Sequence, residues 1–144
     1  LELNQNGIMK TNYFNLLFNK KMGCENLIKI FFHMSNSVKL YHWQTTNFAR
    51  HKATDDLFSG LQPLIDEFIE VYMGRYERPD FSYSFKLSIR EITDNSADSL
   101  IKEYINYLSN DINNYVSESD TDLLNIRDEM LTLLNKTLYL FTLN

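Results

Sequence analysis

Hydrophobic positions along this chain recur at helical rather than strand spacing. Leu27, Ile28, Ile30, Phe31, Met34, Val38 and Tyr41 predict a helix from about Glu25 to Trp43. Asn47 is a suitable N-cap for a second helix carrying Leu57, Leu61, Leu64, Ile65, Phe68, Val71 and Tyr72, with Gly74 placed as its C′ glycine. A third helix is expected after Asp94 or Asn95, carrying Leu100, Ile101, Tyr104, Ile105, Leu108, Ile112 and Tyr115. The turn "SESDTD" leads to a fourth, with Leu123, Leu124, Met130, Leu131, Leu134, Leu138 and Phe141. Between the second and third helices, "RYERPDFSYSFKLSIREIT" contains Pro79 and reads as a long crossover carrying a short extra helix around Phe85 to Ile92.

Two short connections and one long one predict an all-α, ferritin-like four-helix bundle over residues 23–144. Helices 1–2 and 3–4 would be hairpins, while helices 2 and 3 run parallel. Residues 1–22 are expected to form an N-terminal extension or arm, with a short helix in "NYFNLLFNKK". Composition agrees with this. Of 144 residues, 44% are apolar, enough for one core, and only 4 Gly and 2 Pro interrupt it. A net charge of −5, with Lys10, Lys20 and Lys21 the only basic cluster near the start, argues against binding DNA. No apolar run reaches the length of a membrane span. Cys24 stands alone and reads as inert, which fits a cytoplasmic or other reducing intracellular compartment.

The second helix carries the candidate chemistry. On a helical wheel at about 100° per residue, the apolar stripe falls on one side, while His51, Asp55, Asp66 and Glu70 share the other. One helix cannot bring all four to one ion, because Asp55 and Asp66 are about 16 Å apart along it. Their numbers are nevertheless symmetric about Gly60–Leu61. Two copies crossing antiparallel would set His51 of one against Glu70 of the other, and Asp55 against Asp66, as a two-fold dimer does. Gly60 would let the two backbones approach. Imidazole with carboxylates suits iron, manganese or zinc rather than a soft metal. His42 is placed to add a nitrogen, with Trp43 beside it. The alternative is an ordinary solvated face. His33 reads as a polar packing residue, and Glu118, Asp120 and Asp122 as cap and turn residues.

The stretch "YHWQTTNFARHKATDDLFSGLQPLIDEFIE" resembles the Dps miniferritins of the ferritin-like superfamily. It has His42-Trp43 at the end of the first helix, Asn47-Phe48 in the loop, His51-x3-Asp55, ten residues, then Asp66-x3-Glu70. The resemblance implies a ferroxidase centre between two subunits: His42, His51 and Asp55 from one chain, Asp66 and Glu70 from the other. Trp43 would pass or quench an electron, or simply pack beside the loop. It also implies oxidation of Fe(II) with peroxide or dioxygen, storage of ferric iron in a shell of twelve, and protection from oxidative damage. The chain departs from that pattern in three ways. Its loop after Trp43 is three residues shorter, which would displace His42; Pro63 would kink the second helix; and it has no lysine-rich tail. A ferritin-like scaffold subunit without turnover is the alternative function.

Overall fold

The computed structural model describes residues 24–82 and 85–143. They form α1 (Cys24–Gln44), α2 (Phe48–Arg75), α3 (Asp94–Ser109), a 3₁₀ turn (Asp111–Asn114) and α4 (Thr121–Leu140). No β-strand occurs among the described residues, and the expected arm over residues 1–22 lies outside them.

Local capping chemistry explains most boundaries. Asn47 has extended backbone, and its side chain accepts the Arg50 N–H to open α2. Thr93, rather than Asp94 or Asn95, caps α3, because Thr93 and Ser96 satisfy each other's backbone N–H groups in a capping box. Gly74 is not a C′ residue. It sits inside the last turn of α2, which Tyr76 closes by donating its N–H to the Tyr72 carbonyl. The third helix stops at Ser109, so Ile112 lies in the 3₁₀ turn and Tyr115 follows it, contrary to the continuous helix the spacing predicts. Asn110 supplies the reason: its side-chain amide donates to the carbonyl and side-chain oxygen of Asn106, competing with continued helical pairing.

Contacts between elements set the helix directions. Phe31 packs edge-on against Phe68, with ring centroids 5.4 Å apart, and Lys39 meets Asp55, so α1 and α2 are antiparallel. His33 with Tyr104 and Tyr41 with Asp94 make α3 antiparallel to α1. Gly60 against Leu133 and Arg75 with Asp122 make α4 antiparallel to α2. Helices α2 and α3 therefore run parallel, as the connection lengths predict. The core is filled by Leu27, Phe31, Met34, Leu57, Leu61, Phe68, Leu108, Leu123, Met130 and Leu134, each 1% exposed or less. Burying a side chain of this kind contributes about 1.5–3 kcal/mol.

The expected short helix at 85–92 is absent; this stretch has no regular secondary structure. Leu87 and Ile89 are half-buried while Lys86, Ser88 and Arg90 are exposed, a period of two rather than 3.6. Side chains of α1 take up its backbone groups. Glu25 accepts the Asp80 N–H at 2.9 Å, His33 Nε2 donates to the Ser88 carbonyl at 3.1 Å, and Gln44 accepts the Ile92 N–H at 3.0 Å. With those groups satisfied, the segment gains little by coiling.

Candidate metal centre at the α1–α2 turn

Residues 45–47 are all that separates α1 from α2, so the last turn of one lies directly against the first turn of the other. His42 Nδ1 reaches the His51 carbonyl at 2.9 Å, and His51 Nδ1 reaches the His42 carbonyl at 2.9 Å. The rings stack with centroids 3.9 Å apart and planes 22° from parallel. Carbonyls only accept, so each Nδ1 carries the hydrogen and, in the neutral ring, each Nε2 keeps its lone pair. This reciprocal lock is the arrangement by which a histidine is oriented as a metal ligand. The three-residue loop brings the two rings face to face. Thr54 supports the pair, donating to the Arg50 carbonyl at 2.8 Å and lying 3.4 Å from His42 Nδ1.

Asp55, one turn beyond His51, places Oδ1 3.8 Å from His42 Nε2, close but too long for a hydrogen bond. Lys39 approaches the same oxygen at 3.5 Å. Its ammonium also lies over two rings, 4.8 Å from the Phe58 centroid and 5.8 Å from that of Trp43. Trp43 is 69% exposed and Phe48 77%, so an aromatic rim flanks the histidines.

An anchor beneath the site fixes its position. Arg50, the residue before His51, donates to the Tyr41 hydroxyl at 3.2 Å, the Asp94 carbonyl at 3.1 Å and Asp98 at 2.9 Å. Its guanidinium lies 4.5 Å from the Phe141 ring centroid. Asp94 accepts from Tyr41 and Thr45, and the Tyr41 hydroxyl holds its carboxyl below the usual carboxylate range. One arginine thus ties the end of α2 to the other three helices.

Asp66 and Glu70 are exposed on the same face of α2, about 22 Å and about 28 Å along the helix from His51. Among the described residues of one chain, no three His, Cys, Asp or Glu side chains converge as a metal site. His42 stacks on His51 and lies 3.8 Å from Asp55; Asp66 and Glu70 do not join them. Gly60 is also not where a two-fold crossing needs it. A Cβ there would meet Leu133 Cδ1 of α4 at 2.8 Å, so this glycine serves close packing within the chain. α2 runs as one helix through Pro63. His33 is a packing residue as expected, its Nδ1 2.9 Å from the Tyr104 hydroxyl. Lys39 was legible as a site residue, because it stands three positions before His42 and so shares its helix face.

No described helix is long and apolar enough to cross a membrane. Over 33 residues the chain is 54% identical to the uncharacterized 14.6 kDa protein in the mobD–ri intergenic region of Enterobacteria phage T4. That match covers 23% of this chain and 26% of the phage protein, so it spans about a quarter of each. No solved structure matches the chain. A family model described as a family of unknown function (DUF5856) matches residues 42–141, from His42 through the end of α4. That stretch is well over half of the chain and contains His42, Trp43, His51, Asp55, Asp66 and Glu70, and the chain accordingly belongs to the DUF5856 family.

Proposed function

We propose that this chain is a ferritin-like, Dps-like ferroxidase subunit that binds Fe(II) between two copies of itself, oxidises it with peroxide or dioxygen and stores the ferric product in an oligomeric shell. The observation that carries the reading is the reciprocal locking of His42 and His51 through their Nδ1 atoms, which leaves the Nε2 lone pairs for a metal and sets that of His42 3.8 Å from Asp55. The parallel course of α2 and α3 supports the ferritin-like topology. The donor set, two imidazoles with a carboxylate, fits iron, with zinc and manganese as competitors.

Completion requires a second copy. The outward face of α2 carries half-buried His51 and Asp55 with exposed Lys52 and Asp56 toward its start, and exposed Asp66, Glu67 and Glu70 toward its end. An antiparallel two-fold pairing would bring Asp66 and Glu70 of one protomer to the histidines of its partner, and the carboxylates of Asp55 and Asp66 that then face each other would need a cation between them. The carboxylates would hold the substrate iron with the histidines, and positions left open on it would admit the oxidant.

The test is complementation between inactive variants. Protein prepared without oxygen and given ferrous salt and peroxide should oxidise iron rapidly, and His51→Ala or the double variant Asp66→Ala/Glu70→Ala should not. Mixed and reassembled, these two variants should recover about a quarter of the wild-type rate, because half of random dimers are mixed and each holds one intact cluster. No recovery would refute a shared site. A dimeric chain with no iron oxidation at all would instead be the scaffold subunit.

A further inference from the structure

We propose that Lys39 is a resident cation of the metal site: its ammonium pairs with the Asp55 oxygen that a divalent ion would share with His42 Nε2, and so sets the affinity of the site. The inference rests on the metal-binding reading above and deepens it.

Three contacts hold Lys39 in place. Its Nζ is 3.5 Å from Asp55 Oδ1, the same oxygen that faces His42 Nε2 at 3.8 Å. The Phe58 ring lies 4.8 Å from the ammonium and the Trp43 ring 5.8 Å, each presenting its electron-rich face. The lysine side chain is only 27% exposed, while that of Asp55 is 45% exposed. Lys39 is thus a positive charge, half removed from water, at the one carboxylate that the described residues of the chain supply to His42. Without metal it neutralises Asp55 and keeps that carboxylate near the imidazoles. A divalent ion binding between His42 Nε2 and Asp55 would lie next to the ammonium, and their repulsion would be screened little at a half-buried site. Entry therefore requires Lys39 to swing out, giving up its ion pair and both ring contacts. The flexible four-carbon stem permits this movement, and exposed Trp43 leaves the outward path open.

Lys39→Met removes the charge and keeps an unbranched apolar stem across Phe58 and Trp43. Lys39→Arg keeps the charge. Titration of the intact chain with Co(II), followed by calorimetry and by the visible absorption of the bound ion, gives affinity without reference to turnover. Lys39→Met should bind the first equivalent about tenfold more tightly than wild type, while Lys39→Arg stays within about twofold of it. If wild type and Lys39→Met bind Co(II) equally, or Lys39→Arg binds as tightly as Lys39→Met, the lysine proposal falls while the site stands. If neither wild type nor Lys39→Met binds Co(II) in the visible spectrum or the calorimeter, the reading of the histidine pair as a metal site falls and takes the lysine role with it. Circular dichroism melts of all variants establish that each is folded.

Discussion

Replacing Pro63 with alanine should stabilise this protein. Pro63 lies in the interior of α2 and is exposed. It has no N–H to give the Ser59 carbonyl, and its ring crowds that carbonyl. At such a position alanine is about 3 kcal/mol more favourable than proline. Ser59 is exposed, so water satisfies its carbonyl and recovers part of the loss, and little apolar burial is forfeited with the ring. About 2 kcal/mol of stabilisation is the expected remainder. For a chain of this size that raises the melting temperature by about 4–8 °C. Urea unfolding followed by far-ultraviolet circular dichroism and by Trp43 fluorescence would measure it, at two protein concentrations so that a contribution from association is seen. An unchanged or lowered urea midpoint would refute the reasoning. It would mean that the bend proline imposes is used by the folded chain, either against α4 or against a second copy.

Other expectations follow from the core and the titrating groups. Phe68→Ala removes a fully buried ring packed edge-on against Phe31 and should cost about 3–5 kcal/mol in urea unfolding; a loss under 1 kcal/mol would show that the core collapses into the space. Among the described residues the buried Tyr107 hydroxyl has no well-formed hydrogen bond, although that of Tyr115 lies near, so Tyr107→Phe should leave stability unchanged or raise it by up to about 1 kcal/mol, whereas a clear loss would reveal an essential contact. Burial pushes the Cys24 thiol up to about 11 and the Tyr72 hydroxyl up to about 12. The unfolded chain therefore releases these protons first, and stability should fall as pH rises above about 9, with a slope approaching 1.4 kcal/mol per unit for each group. Cys24→Ala should flatten the lower part of that decline. At the acid end, hydrogen bonds from Tyr41 to Asp94 and from Tyr76 to Asp120 hold both carboxyls below their usual range. Their contribution is complete above about pH 4 and disappears as pH falls through the folded values, so Asp94→Asn should reduce the acid sensitivity of unfolding.

What could be read from the amino acids alone was what depends on near neighbours in the chain. The cap at Asn47, the apolar stripes that became Leu27, Phe31, Met34 and Leu57, Leu61, Phe68, and the parallel course of α2 and α3 all follow from spacing and connection length. So did the common face of His51, Asp55, Asp66 and Glu70, because a helix repeats every 3.6 residues whatever packs against it. Tertiary contacts decided the rest. The segment at 85–92 is irregular rather than helical because His33 and Gln44 of α1 satisfy its Ser88 carbonyl and Ile92 N–H, and no local pattern records partners some 50 residues away. Gly60 faces Leu133 because α4 settles against that side of α2. The mutual lock of His42 and His51, and the approach of Lys39 to Asp55, depend on how two helix ends meet across a three-residue turn. Sequence spacing fixes where a side chain points around its own helix axis; only packing fixes which neighbour it meets.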